Sequence, residues 1–213
     1  MPQEELLEKA TGKKSLTIGI PNDNKDGETR ISLTPEAAKI LVDNGHEVIL
    51  ERGAGSGSKY SDQSYSDNGV IISDTPQRVF ECDLIMKITP FTLQEIEMMK
   101  GNQLVISFLN VLLLSEETLN ALMRKRITAL ASERIKDLEG NASVMDAMSE
   151  ISGIHSVLIA SKYLSSTEGG RGTLLGGITG ITPSEVVILG ANTAGECAAR
   201  AALGLGASVK VFD

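Results

Sequence analysis

The chain has no tryptophan, three tyrosines and four phenylalanines, so aromatic residues make up only 3% of its 213 positions. Any core must therefore come from Ile, Leu, Val, Ala and Met, and hydrophobic residues at 41% are enough to supply one. There are two cysteines, Cys82 and Cys197, far apart and without the close spacing of a metal site. That excludes a disulfide scaffold and reads as reduced thiols in a cytoplasmic protein, with no metal. Histidine is equally scarce. His46 begins a strand and His155 falls in a helical stretch, so neither occupies the carboxyl end of a strand, where a general acid or base is expected. Basic residues are outnumbered 20 to 28, and the net charge of −8 excludes nucleic acid as a partner. Long hydrophobic runs are missing too. The longest, Leu104 to Leu114, is broken by Ser107 and Asn110 and is too short to span a bilayer. The Gln- and Glu-rich start carries no secretory signal.

What is present alternates. After a polar leader over residues 1–14, Leu16 to Ile20 reads as a short strand. Thr34-Pro35-Glu36 opens a helix, with Thr34 as cap and Pro35 at the first helical position, and Gly45 ends it. Glu47 to Leu50, Asp83 to Ile88, Leu104 to Phe108 and Ile127 to Ser132 read as the next strands. Thr92 to Glu95 matches a capping box for a helix ending near Gly101, and Ser115 begins another that runs to about Lys125. Strands and helices at this spacing predict an α/β fold with a parallel, doubly wound sheet. From Ser143 to Leu164 the pattern is mostly helical. Glu168 to Gly180 then packs six glycines into thirteen residues, as a loose loop or as a hairpin leading into the next strand. We expect a first domain over 15–142 and a second over 143–213.

The second domain carries the strongest chemical pattern. Val186 to Leu189 reads as a buried strand, Gly190-Ala-Asn192-Thr193-Ala194-Gly195 as a tight turn, Thr193 to Leu205 as a helix and Ser208 to Phe212 as a further strand. Such a unit sets a dinucleotide pyrophosphate on a helix N-terminus. Asp213 follows Gly195 by 18 residues, about where a carboxylate takes the ribose hydroxyls of NAD. Asn192 stands at the middle glycine position; it tolerates positive φ, but its side chain takes up room near the phosphate. The alternative is a glycine turn that binds nothing.

In the first domain, Arg30 follows the first strand in a loop where α/β proteins bind ligands, and its planar guanidinium suits a small carboxylate. Against this stands a solvated surface arginine. Lys87 ends the apolar strand Leu84-Ile-Met-Lys87. It is either snorkelling to the surface or desolvated and aimed at a ligand. Glu133 lies at the end of another strand, as site lining or, more in keeping with its position, as a solvated loop residue.

Together these segments resemble the alanine dehydrogenase and nicotinamide nucleotide transhydrogenase family over nearly all of Leu16 to Asp213. The carriers are Thr29-Arg-Ile-Ser-Leu-Thr-Pro35, Asn44-Gly-His-Glu-Val48, Glu51-Arg-Gly-Ala-Gly-Ser-Gly57, Leu84-Ile-Met-Lys87, Met148-Ser-Glu-Ile-Ser-Gly153 and Gly169 to Gly177. The resemblance implies two Rossmann-like domains, the second incomplete at its carboxyl end, with cofactor bound between them. It implies that Arg30 holds the substrate carboxylate, that Lys87 polarises the keto or imino group, and that Ser149 and Asp213 contact NAD alongside Gly190, Asn192, Thr193, Ala194 and Gly195. Asp213 in place of arginine implies NAD rather than NADP.

Two departures stand out. Asn110 occupies the family's catalytic histidine position; it can hydrogen-bond a carbonyl but cannot relay a proton near neutral pH. The family's chains also continue past Asp213, so a fragment, or a chain that pairs to cover its sheet edge as a homo-oligomer, is expected. The favoured activity is hydride transfer between NAD and a small 2-amino or 2-keto acid. The alternatives are the NAD-binding subunit of a proton-pumping transhydrogenase, a non-catalytic NAD-binding module, or a bare structural fragment.

Overall fold

The computed structural model describes residues 15–24 and 27–213; the expected leader over 1–14 lies outside them. The chain forms two compact units, one ending at Ser132 and the other spanning Glu133–Asp213.

In chain order the first unit contains β1 (Thr17–Ile20), α1 (Pro35–Asp43), β2 (Glu47–Glu51), α2 (Asp62–Ser66), β3 (Ile71–Ser73), α3 (Pro76–Phe80), β4 (Leu84–Met86), α4 (Leu93–Met98), β5 (Leu104–Ser107), α5 (Glu116–Arg124) and β6 (Thr128–Ala131). The helix starts follow local chemistry. Ala37 donates its N–H to the Thr34 hydroxyl at 3.3 Å, Pro35 needs no donor at the first position, and Gly45 turns the chain at a φ of 88°. The capping box of α4 is complete, with the Thr92 and Glu95 side chains each accepting from the other's backbone.

All six strands are parallel, in the order β3-β2-β1-β4-β5-β6. The chain winds outward from β1 to β3, then returns to the other side of β1 for β4. The connections leaving β1 and β4 therefore diverge, which opens a crevice beyond their carboxyl ends. One sheet face buries Ile18, Ile20, Val48 and Leu50 against Ala38 of α1 and Tyr65 of α2. The other buries Ile85 and Val105 against Phe80, Ile96, Ala121 and Leu122 of α3, α4 and α5. Gly19 is what lets α3 lie close to the sheet: a Cβ there would fall 2.2 Å from the Val79 carbonyl oxygen.

The sequence pattern misses β3, α2 and α3, so the strand at 83–88 is the fourth rather than the third. Three residues are too few to show alternation, and five too few to show a helical stripe.

The second unit contains α6 (Ser143–Leu164), β7 (Glu185–Leu189), α7 (Thr193–Gly204) and β8 (Ser208–Phe212), with β7 and β8 parallel. Val157, Leu175, Ala198, Ala202 and Ala207 form its core. Small residues bring α6 and α7 together, a Cβ on Gly153 falling 2.2 Å from the Ala194 carbonyl oxygen. The glycine-rich stretch is a loop and not a hairpin: among the described residues no strand falls within it. It folds back so that Gly177 donates its N–H to the Leu205 carbonyl at 3.1 Å. Val187, Leu189 and Phe212 remain exposed on the two strands. Among the described residues no helix is long and apolar enough to cross a membrane, and no cluster could hold a metal ion.

Two outcomes are expected. Gly19→Ala should cost about 1–3 kcal/mol, as overpacking between sheet and helix does, and lower the midpoint of denaturant unfolding; an unchanged midpoint would refute the close-approach argument. Burial pushes the Cys82 thiol up to about 11, so it is neutral at pH 8. Iodoacetamide should leave it unmodified there until the chain is unfolded, as mass spectrometry of the digested protein would show.

Candidate functional site

The crevice between β1 and β4 holds a cleft of about 440 Å³ lined by Asp23, Gly27, Glu28, Lys87, Thr89, Pro90, Thr92 and Glu95. A larger hollow over α5, about 540 Å³ and lined by Glu116, Glu117, Asn120 and Arg124, is a more open surface depression whose side chains are solvated. The crevice is the better site because its polar groups are buried and converge.

Lys87 lies at its base, one residue beyond β4. Strand alternation puts it on the same face as Ile85, two residues earlier, and therefore under the start of α4. Its side chain is only 3% exposed. The lysine is desolvated and does not snorkel to the surface. The ammonium donates to Glu95 Oε1 and Oε2 at 3.0 and 2.9 Å and lies 3.3 Å from Asp23 Oδ1. The Phe91 ring centroid sits 5.5 Å from Nζ, within cation–π reach.

Neither carboxylate depends on the lysine for its position. Asp23, in the loop after β1, accepts the Ile88 and Thr89 N–H groups on Oδ2 at 3.1 and 2.8 Å, and the Thr89 hydroxyl on Oδ1 at 2.6 Å. Glu95 Oε2 accepts the Thr92 N–H at 2.8 Å as its half of the capping box. Sequence reading did not single out Asp23, which sits among polar neighbours in a loop, and it assigned Glu95 only to helix capping. The signal for both was Lys87 itself, since a buried ammonium needs carboxylate partners.

Arg30 is half exposed and forms a two-pronged pair with Glu28: its Nε donates to Oε1 at 2.9 Å and its Nη2 to Oε2 at 2.6 Å. It is thus a paired arginine, and its partner Glu28 lines the same cleft as Lys87. The hydrogen bond from the Arg30 side chain, with smaller help from backbone N–H groups, holds the Glu28 carboxyl down at about 2. Asn110 follows β5 with φ 44° and ψ 59°, a left-handed conformation that Asn, Asp and His adopt more readily than other side chains. It is not among the residues that line the cleft. Glu133 is half-buried in a short 3-10 turn after β6. His46 Nδ1 accepts the Leu16 N–H at 3.2 Å, and His155 is exposed on α6.

In the second unit the turn is built as a dinucleotide cradle requires at its first and last glycines. Gly190 has φ 105°, and a Cβ on Gly195 would fall 1.9 Å from the Gly190 carbonyl oxygen. The middle position differs from expectation. Asn192 has φ −71° and makes no use of its tolerance for positive φ; instead its Oδ1 caps α7 by accepting the Gly195 N–H at 3.0 Å. Thr193 and Ala194 form the first turn of α7, whose N–H groups face the position a phosphate takes in such units. Asp213 follows β8 directly, beside the turn, its Oδ1 accepting the Ala191 N–H at 3.3 Å. Ser149 lies one helical turn before Gly153 on α6, on the stripe that meets the start of α7. These residues fit a dinucleotide, with the Asn192 carboxamide as the one group that must share the helix end.

The family model described as alanine dehydrogenase/PNT, N-terminal domain, matches residues 19–155, and the one described as alanine dehydrogenase/PNT, C-terminal domain, matches 156–213. An alanine dehydrogenase of Mycolicibacterium smegmatis is 38% identical over 199 residues, 93% of this chain and 53% of that protein. One of Methanococcus maripaludis is 36% identical over the same shares. The chain spans about half the length of the curated relatives it matches. A solved L-alanine dehydrogenase superposes with a TM-score of 0.85 at 34% identity, over 92% of this chain and 54% of that one. A transhydrogenase from Sinorhizobium meliloti shares the fold, with a TM-score of 0.80 at 24% identity, over 92% of this chain and 58% of that one.

Because the folded-state value of Glu28 lies below the ordinary 4.5, its contribution to stability is complete above that value and is lost as pH falls from about 4.5 towards 2. Denaturant unfolding of Glu28→Gln across this range should show a shallower loss of stability than the parent; parallel curves would refute the pairing.

Proposed function

This chain belongs to the alanine dehydrogenase/PNT family, and on that premise we propose that it serves hydride transfer between NAD(H) and a small 2-amino or 2-keto acid of the L-alanine/pyruvate type. Residues 15–142 take the substrate and residues 143–213 contribute to the NAD site. The observation that carries the reading is the desolvated Lys87 ammonium at the β1/β4 crevice, in a cleft that Glu28, the partner of Arg30, also lines.

Arg30 anchors the substrate carboxylate through its planar guanidinium. Lys87 donates a hydrogen bond to the keto or imino group and draws electron density from the carbon that gains or loses hydride. Asn110 stands in the position of the family's acid–base residue; its carboxamide can donate a hydrogen bond but cannot relay a proton near neutral pH. NAD, when bound, supplies the hydride acceptor, and Ser149, Gly190, Asn192, Thr193, Ala194, Gly195 and Asp213 are the residues we assign to holding it. Asp213 disfavours NADP, because a 2′-phosphate would meet like charge. The buried, unpaired cysteines favour a cytoplasmic protein, and the exposed Val187, Leu189 and Phe212 favour self-association.

Asn110 also supports a second reading, the NAD-binding subunit of a proton-translocating transhydrogenase, since an amide cannot shuttle a proton as histidine does. In that case hydride passes to a second nucleotide on a partner, and amino-acid-dependent NADH formation is absent.

Titration of the chain with NADH and NADPH, followed by nicotinamide fluorescence, should give saturable NADH binding tighter than NADPH. Equal affinities would remove the role of Asp213, and no binding would remove the dinucleotide site from this chain. In a form that turns over alanine, Lys87→Ala should lower kcat/KM by at least about 100-fold, the scale of losing one stabilising donor.

A further inference from the structure

We propose that the loop after β2 is a platform for Arg30, with Gly57 and Ser58 as positioning residues and Tyr65 of α2 holding the far end of the same segment. The inference rests on the reading of Arg30 as the carboxylate anchor.

Arg30 lies between β1 and α1 in a stretch that belongs to no helix or strand. Such a stretch has no ladder of backbone hydrogen bonds to fix it, so its place is set by side chains and packing. Here both ends are held from residues 53–65. The Ser58 hydroxyl donates to the Thr29 carbonyl at 2.6 Å, one residue before Arg30. The Tyr65 hydroxyl donates to the Leu33 carbonyl at 2.7 Å, three residues after it. At Gly57 the two loops meet with no room for a side chain. A Cβ there would fall 2.2 Å from Asn24 Oδ1 and 2.9 Å from the Thr29 carbonyl oxygen. Asn24 does not step aside cheaply, because its amide donates to the Gly53 and Ala54 carbonyls at 3.0 and 3.2 Å and to the Ser56 hydroxyl at 3.2 Å.

The platform is itself fixed. Asp62 Oδ1 accepts the Gly53 N–H at 2.9 Å, and a Cβ on Gly55 would fall 2.7 Å from the Tyr65 ring. Tyr65 is fully buried, so one side chain both supports the loop under Gly55 and ties down Leu33. Gly57, Ser58 and Tyr65 are not among the residues that line the cleft, so they reach a ligand only through the segment that carries Arg30. Glu28 sets the guanidinium relative to its own backbone; the platform sets that backbone relative to the sheet. A shift of about 1 Å in such an anchor is enough to spoil a productive pose.

The experiment is a pyruvate titration of the 15N-labelled chain, followed through the backbone amide of Arg30, with 15N relaxation of residues 29–33 recorded beside it. Ser58→Ala and Tyr65→Phe each remove one hydroxyl and should weaken pyruvate by about fivefold, the scale of one neutral hydrogen bond, while residues 29–33 become more mobile. Gly57→Ala should weaken it by about tenfold or more. Ser58→Thr keeps the hydroxyl and should restore both affinity and order. The amide signals of residues 84–86 and 104–107 should stay at their parent positions throughout, which a general loosening of the unit would not allow. Parent-like affinity in Ser58→Ala and Gly57→Ala, or a disturbance that spreads equally to residues 84–86 and 104–107, overturns the positioning role. Failure of the underlying reading looks different. If pyruvate moves no signal in the parent while Ser58→Ala still loosens residues 29–33, Arg30 is not the anchor and the platform is purely structural.

Discussion

A buried ammonium governs the upper half of the first unit. Lys87 emerges where a run of Leu84, Ile85 and Met86 prepares for another apolar residue, and its charge cannot stay there alone. Two carboxylates answer it from the crevice beyond the strand ends: Asp23 on the chain leaving β1 and Glu95 at the head of α4. Each is in turn bonded to backbone N–H groups that would otherwise end a strand or begin a helix unsatisfied. Removing the lysine would leave two buried carboxylates without a counter-charge, a loss of several kcal/mol in comparable buried pairs. The loop after β1, the turn after β4 and the start of α4 are thereby made interdependent, and they are the segments that form the cleft.

Much of this was legible in the amino-acid order. The capped helix at Thr34, the capping box at Thr92 and the strand–turn–helix–strand run from Glu185 to Phe212 lie where local chemistry puts them, because their determinants are within a few residues of each other. The short β3 and the helices on either side of it were invisible because their stability comes from burial against neighbours. Tyr65 illustrates the point: fully buried, it holds α2 by donating its hydroxyl to the Leu33 carbonyl at 2.7 Å, a contact between residues far apart in sequence. The site divides in the same way. Lys87 announced itself by a charge inside an apolar strand. Asp23 did not, since a carboxylate among Asn22 and Asn24 looks like any polar loop, and only the order of strands brings it to Lys87.

The second unit shows a different balance at Asn192. A glycine at that position would leave the start of α7 open. The asparagine instead closes part of it by serving as helix cap, a role worth about 1 kcal/mol to a helix. Helix stability and ligand access thus draw on the same N–H group. Asp213 repeats the pattern on the other side of the turn, its carboxylate engaged with the Ala191 N–H.

The pairing of Arg30 with Glu28 carries a consequence for selectivity. A carboxylate two residues away is present at a high effective concentration, in the millimolar range or above for so short a tether. Any anion that seeks the engaged edge of the guanidinium must outcompete it. A simple carboxylate such as acetate or formate can pair with the guanidinium as Glu28 does, but has no such tether to help it. A molecule that also engages a second anchor in the cleft brings additional binding energy to that contest. Glu28 is therefore an internal competitor for any anion that approaches that edge of Arg30.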